Sequence, residues 1–221
     1  MIITHLTGTA WLAHENGRGI LIDAGKQPDG KAILDGIRAL GIEVPLLFLT
    51  PTHYDHTGGA EAVRLATNAK VMVGREEVAF LQSGHTPIPA GTGRLGRSVL
   101  RLAKALGSTS RDHYRPVTED IIEIDETIPL TNYGSDVWVY RLGAHTAGSI
   151  GLKTGDAFFA GDTVFGFGSA VYPPFADRPE EFPAAWSTIL DSGVKRIYPG
   201  HGMPFPVEVL ERQFRSHFES K

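Results

Sequence analysis

His53, Asp55 and His56 fall within the stretch Thr50-Pro-Thr-His-Tyr-Asp-His-Thr-Gly-Gly59. Imidazole nitrogen and carboxylate oxygen are the donors that zinc accepts after thiolate, and an irregular turn aims three such side chains at one point more easily than a strand does. The run ahead of them, Leu46-Leu-Phe-Leu49, suits a fully buried strand, and Gly58-Gly59 free the backbone where Ala60 to Ala66 begins to coil. The three polar residues are thereby expected at the carboxyl end of a strand, where open α/β sheets carry their ligands. A polar loop without chemistry has the same composition, and ten residues do not separate the two readings.

Three later segments carry the same kind of residue. His145 lies in Gly143-Ala-His-Thr-Ala-Gly-Ser149, Asp162 in Phe158-Phe-Ala-Gly-Asp-Thr-Val164, and His201 in Tyr198-Pro-Gly-His-Gly202. Each follows a strand-like run and stands among glycines, which places it in a loop at a strand end. In order and in content the four segments resemble the signature of the metallo-β-lactamase superfamily, a loop H-x-H-x-D-H followed by a lone His, a lone Asp and a last His. The resemblance spans nearly the whole chain. It implies an α/β fold, the four-layer αββα sandwich, in a single domain over residues 1–221, with a helical insertion at about 76–118.

The resemblance also implies two metals side by side, with one departure. Pro51 stands where the family has its first His, and it has no side-chain donor. Carried over residue by residue, Asp55, His56, Asp162 and His201 form one complete site, while the other keeps only His53, His145 and a share of Asp162. The expectation is therefore one zinc ion in the complete site and a second that is weak or absent, with iron or manganese as alternative metals. The mononuclear subclass of metallo-β-lactamases also lacks that first His, although its site uses a Cys that this chain does not have. Asp23 matches the position of a supporting Asp that would orient a ligand by hydrogen bonding.

On that basis the expected activity is hydrolysis of a small ester-like substrate, thioester or lactone ahead of β-lactam, with His53, Asp55 and His145 as the catalytic group. If no second metal lies between His53 and His145, a neutral imidazole there is a competent base near neutral pH. Two rivals stay open: a degenerate member that binds metal or ligand without chemistry, and an iron-dependent redox member.

The elements that must position these residues follow from periodicity. Ile2-Ile3, Ala10 to Ala13 and Gly19 to Asp23 read as strands, with a hairpin turn at Glu15 to Gly19. Antiparallel geometry then brings Thr7-Gly8-Thr9 toward the metal end. Asp29 to Leu40 carries Ala32, Ile33, Ile37 and Leu40 at helical spacing, and Gly41 stops it. Lys70 to Val73 is a further strand and Glu76 to Leu81 helical. Ser83 to Gly93 is a Gly-, Pro- and Thr-rich loop. Beyond it Leu95, Val99, Leu102, Ala103 and Leu106 alternate with Arg94, Arg97, Arg101 and Lys104 as a basic amphipathic helix. That helix either packs with a solvated charged face or, as the resemblance implies for an insertion between the two halves, overhangs the site as a lid, with Arg94 meeting an anionic substrate.

The second half repeats the pattern, with strands at Ile121 to Ile124, Asp136 to Leu142, Ser149 to Lys153 and Ala157 to Ala160. A helix follows at Pro179 to Leu190, a strand at Lys195 to Tyr198 and a closing helix at Pro206 to Phe218. The aromatic loop Phe165 to Phe175 reads as a pocket wall, with Tyr172 as a substrate-binding candidate. Five other histidines, His5, His14, His85, His113 and His217, match no segment. Surface or hydrogen-bonded roles are expected for them, with His85 and His113 the likeliest exceptions.

Composition sets outer bounds. With 221 residues and 42% hydrophobic content, the chain can bury one sizeable core. A net charge of -4 gives no general attraction to nucleic acid. The absence of Cys removes disulfides and thiolate ligands. Met1-Ile-Ile-Thr-His-Leu6 lacks a basic region leading into a long apolar core, and no run approaches a membrane span. The partners expected are therefore a small-molecule substrate and neither nucleic acid nor membrane, in a cytoplasmic setting.

Overall fold

A computed structural model of the chain describes residues 1–92, 112–168 and 170–219. It divides into two compact units, residues 1–88 with 110–125 and residues 89–109 with 126–221. In the first unit a six-stranded sheet runs in chain order through β1 (Ile2–Thr7), β2 (Ala10–Glu15), β3 (Arg18–Ile22), β4 (Glu43–Phe48), β5 (Lys70–Gly74) and β6 (Ile121–Ile124). Its first two junctions are antiparallel and its last three parallel. Parallel neighbours need a crossover. Helix α1 (Asp29–Leu40) supplies it between β3 and β4, and α3 (Ala60–Thr67) between β4 and β5, after the one-turn helix α2 (Tyr54–Thr57).

The apolar spacing read in the sequence is what docks these helices. Ile33 and Ile37 of α1 and Val63 of α3 are buried with Leu21, Leu47, Leu49, Val71 and Val73 of the strands and their ends. Gly41 ends α1 in a left-handed conformation, φ 64°, and its N–H reaches back to the carbonyls of Arg38 and Ile37. Ile20, Ile22, Leu46 and Phe48 are buried as well, so both faces of β3 and β4 are covered. After β5 a 3-10 turn (Arg75–Glu77) leads into α4 (Val78–Ser83). The basic amphipathic helix expected next, with Arg94, lies outside the described residues.

The second unit holds the other six strands, again in chain order: β7 (Ile128–Pro129), β8 (Val137–Arg141), β9 (Ile150–Thr154), β10 (Ala157–Gly166), β11 (Arg196–Gly202) and β12 (Phe205–Pro206). Only β10 and β11 pair in parallel, and α5 (Phe182–Asp191) is their crossover. The closing helix is shorter than its apolar spacing predicts: α6 covers Val207–Phe214 and gives way to a π turn at Arg215–Glu219. Phe182, Trp186 and Ile189 of α5 and Leu210 of α6 pack with Phe158, Val164 and Ile197 of the sheet. Two mixed sheets with crossover helices match the α/β class expected from the sequence.

Strand length corrects two local expectations. Asp162 and His201 do not stand in loops after strands; they lie inside β10 and near the end of β11. The reason is the register. From Phe159 to Gly161 β10 advances two residues while β11 advances one, Tyr198 to Pro199; from Gly161 to Phe165 it advances four against two, Pro199 to His201. Pairing thus survives across bulges that glycine and polar residues seemed to rule out. Bulges of this kind bend a strand and re-aim its side chains, and Asp162 sits in the wider of the two. No described helix is long and apolar enough to cross a membrane.

Candidate metal centre

In the first unit the donors are laid out locally. His53 caps the N-terminus of α2 in an extended conformation, and the single helical turn then carries Asp55 and His56. His53 and His56 are buried and Asp55 is half-buried. The His56 ring is fixed from behind: its Nδ1 donates to Asp23 Oδ2 at 2.8 Å. The Asp23 carboxylate also accepts the Thr50 amide at 2.8 Å and the Thr50 hydroxyl at 2.7 Å. With Nδ1 carrying the proton, Nε2 of the neutral His56 ring carries the lone pair, the form in which histidine ligates a metal.

Two features of this loop were only partly visible in the sequence. Gly58 and Gly59 have ordinary right-handed backbone, so they are not there to free the chain. They are there for closeness: a Cβ at Gly58 would overlap the Gln27 nitrogen, and one at Gly59 would lie 2.5 Å from the Ala24 carbonyl oxygen. The Ala24 amide in turn donates to the His56 carbonyl at 2.6 Å, so the end of β3 clasps the loop directly. The second feature is Glu77, which no motif picked out. It is buried, accepts the Thr52 amide at 3.2 Å, and also accepts the Thr52 hydroxyl. Thr86 Oγ1 donates to the Thr52 carbonyl at 2.8 Å and lies 2.7 Å from the Tyr114 hydroxyl. Burial pushes the Tyr114 phenol up to about 12, so it stays a neutral hydrogen-bonding group. Thr9 Oγ1 donates to the Asp55 carbonyl at 2.7 Å, which puts the β1–β2 turn where antiparallel geometry requires it.

In the second unit the donors are gathered from remote segments. His145 stands in the β8–β9 connection just after Ala144, which has φ 64°, and that connection is held by backbone bonds from Asp177 and Arg178 to the carbonyls of His145 and Ala144. His145 Nδ1 donates to the Phe175 carbonyl at 2.9 Å. A carbonyl only accepts, so this ring too presents Nε2 as its lone-pair nitrogen. Asp162 is nine-tenths buried and divides its carboxylate: Oδ2 lies 3.5 Å from His145 Nε2, and Oδ1 lies 3.5 Å from His201 Nε2. Behind the bulge, Trp186 Nε1 donates to the Thr163 carbonyl at 2.9 Å.

Those two distances test the donor set against a metal. An N–H···O bond closes to about 2.9–3.0 Å. Two donors about 2.1 Å from one tetrahedral zinc stand about 3.4 Å apart. The spacing matches ligands sharing an ion, and neutral imidazole with carboxylate is the chemistry a divalent ion of the zinc class accepts. The residues present in the second unit therefore fit a metal.

The remaining candidates are placed as follows. Tyr172 packs in the aromatic cluster of the second unit, stacked on His217 at 5.3 Å, tilted against Phe182 and edge-on to Trp186. Phe165 meets the His201 ring at 5.2 Å and the edge of Phe167 at 5.8 Å, and Phe167 is exposed. Of the histidines outside the motif, His5 bonds the Gly8 carbonyl, His14 the Thr4 hydroxyl and His217 the Gln213 carbonyl. His85 and His113 instead meet across Asp112.

Comparison with known proteins bears on the family and the fold. A model of the metallo-beta-lactamase superfamily matches residues 3–201. The hydroxyacylglutathione hydrolase of Methylobacillus flagellatus is 24% identical over 193 residues, which are 86% of this chain and 60% of that protein; the chain thus spans less than two thirds of that relative's length. Among solved structures, an archaeal metallo-beta-lactamase superfamily protein of Sulfolobus tokodaii superposes with a TM-score of 0.69 at 16% identity, covering 96% of this chain and 80% of that one. A protein crystallised in a di-iron-bound form does so with a TM-score of 0.69 at 21% identity, covering 96% and 98%. On the extent of the family match, joined to the order and chemistry of its four motif segments, this chain belongs to the metallo-beta-lactamase superfamily.

Proposed function

We propose that the chain is a metal-dependent hydrolase of a small thioester or lactone, with Asp55, His56, Asp162 and His201 carried over from the family motif as the ligands of one ion, and His53 and His145, with a share of Asp162, as the incomplete second set. One observation carries this reading: the Asp162 carboxylate spaced at 3.5 Å from both His145 and His201, the separation of co-ligands rather than of hydrogen-bonded partners. A bound divalent ion supplies electrophilic polarisation of the substrate carbonyl and acidifies water near neutral pH. The chain's own residues do the rest. Asp23 and the Phe175 carbonyl hold the protons of His56 and His145 on Nδ1, so in both neutral rings Nε2 is the lone-pair nitrogen. His53, with no counterpart at Pro51 to share a second ion, accepts the proton of the attacking water at its imidazole and returns it to the leaving thiol or alcohol.

Phe165 and Phe167, with the exposed Met203 whose amide donates to the Gly166 carbonyl at 2.9 Å, give the His201 side an apolar shelf suited to an acyl chain. The thioester class is further supported by the relative named hydroxyacylglutathione hydrolase, whose substrate is by its name an acyl thioester.

The test is a panel of thioester, lactone, β-lactam and phosphodiester substrates on protein whose metal has been identified and counted by elemental analysis. The expected result is turnover of thioester or lactone. His53→Ala should lose about 10²–10⁴-fold of it while keeping its metal. Undiminished turnover in that variant removes His53 as the base, and no turnover of any ester by metal-loaded protein overturns the hydrolase reading.

A further inference from the structure

Away from the four motif segments, a second set of metal-type donors is assembled within the first unit. His85 and His113 face each other in an antiparallel bridge, framed by the Thr86 amide donating to the Asp112 carbonyl at 3.0 Å and the Tyr114 amide donating to the Gly84 carbonyl at 2.9 Å. Those bonds flank the pair instead of joining it, which makes it the close, non-hydrogen-bonded kind, with both side chains on one face. The rings stand 4.6 Å apart with 38° between their planes. Asp112 divides its carboxylate between them, Oδ2 at 3.1 Å from His85 Nε2 and Oδ1 at 2.7 Å from His113 Nδ1. One donor atom from each residue lies within 4.8 Å of the other two.

We propose that His85, Asp112 and His113 form a separate binding site for a first-row transition-metal dication, with two imidazole nitrogens and one carboxylate as ligands. Two nitrogens and no sulfur select the zinc, nickel and copper(II) group over magnesium and calcium, which take oxygen ligands. The anion is in place. Burial works against ionisation of Asp112, but the hydrogen bonds from His85 and His113 outweigh it and hold the carboxyl below its ordinary value. Each hydrogen bond to Asp112 places one ring proton on the nitrogen that faces the carboxylate; a dication bound there displaces both, and each ring takes one proton back from solvent on its other nitrogen and stays neutral.

The frame is rigid where it needs to be. Next to His85, Thr86 is tied through its hydroxyl to Thr52 and Tyr114, and all three are buried. The outer side is open: 40% of the His85 side chain, 20% of Asp112 and 72% of His113 are accessible to solvent. An ion held here would keep coordination positions for water or an incoming ligand and exchange readily with solution. Because the site joins chain on either side of residues 86–112, its ion would also cross-link the two ends of that segment, and closing a loop stabilises the closed state.

The experiment uses the full chain, stripped of metal and titrated with copper(II), read by bound ions per chain and by electron paramagnetic resonance. The wild type should show a component with nitrogen splitting from two imidazoles. In the double variant His85→Ala/His113→Ala that component should be lost and the count should fall by one ion per chain. His113→Gln, at a side chain too exposed to disturb the core, should weaken the same component by at least about tenfold. Asp162→Ala should leave it intact, which keeps the outcome independent of the proposed hydrolytic centre. Equal copper counts and unchanged spectra in wild type and double variant would overturn the site and leave a hydrogen-bonded clamp of three side chains.

Discussion

The two units solve one problem in opposite ways. In the first, three donors arrive from a single helical turn, and the work lies in holding that turn still: Asp23 and Thr50 from the ends of β3 and β4, Glu77 and Thr86 from beyond β5. In the second, the donors come from one connection and two strands far apart in sequence, and the work lies in bringing them together. Parallel pairing of β10 with β11 carries Asp162 to His201, and the Phe175 carbonyl turns His145 toward them. A locally encoded cluster depends on close backbone contact, whereas a gathered cluster depends on core packing behind the strands. Substitutions remote from the donors can tell these dependencies apart.

The largest effect is expected at Gly59. Its Cβ position faces the Ala24 carbonyl oxygen at 2.5 Å and the backbone of Gly30 at 3.0 Å, so neither neighbour can swing aside as a flexible side chain would. Gly59→Ala should cost about 3 kcal/mol of stability in chemical denaturation. A cost of a few tenths would show that the clasp between β3 and the loop is loose. Next, Asp23→Asn keeps the shape but removes the charge that holds His56 Nδ1–H, and it should weaken metal affinity by about 10–100-fold in competition with a chelator. Affinity equal to wild type would mean that the turn alone orients the ligands.

On the other side of the comparison, Trp186→Phe preserves most of the apolar volume of α5 and deletes the indole donor to the Thr163 carbonyl, beside Asp162. The expected loss is about 1–2 kcal/mol, with metal affinity lowered as well. If stability falls while affinity does not, the bulge is set by the strands and not by the helix behind them.

The smallest effect is electrostatic and belongs to neither cluster. Hydrogen bonds from Lys70 and Arg64 hold the Asp120 carboxyl below its ordinary value. A carboxyl depressed in the folded state adds stability above its unfolded pKa of about 3.9 and loses it as pH falls through the lower folded value. The stability gap between wild type and Asp120→Asn should therefore be constant from pH 7 down to about 5 and close in more acid solution. A gap that widens in acid would reverse the assignment.

How much of this was legible in the sequence follows the same division. The first unit's cluster could be read directly because its donors are consecutive and its strand is a plain apolar run from Leu46 to Leu49. The helix Asp29–Leu40 was legible to the residue because one apolar stripe and one glycine cap define it. The second unit's donors were legible only as isolated histidines and an aspartate; what joins them is a parallel register broken twice, and no local propensity encodes a bulge whose partner lies in another segment. Glu77 was invisible for a related reason. It reads as one more surface acid in Arg75-Glu-Glu77, and only the fold buries it beneath Thr52.

The joint between β3 and β4 has a consequence for how the gene can change. Asp23 receives the Thr50 amide and hydroxyl and the His56 ring, while its own amide donates to the Phe48 carbonyl at 2.8 Å. A strand shifted by a single residue turns every side chain to the opposite face. Deleting one codon within Glu43–Phe48 would therefore turn Leu47 away from the helices it packs against and leave His56 without its carboxylate in the same stroke. Length variation in this lineage should accordingly collect in the surface connections and spare the strands that meet at Asp23.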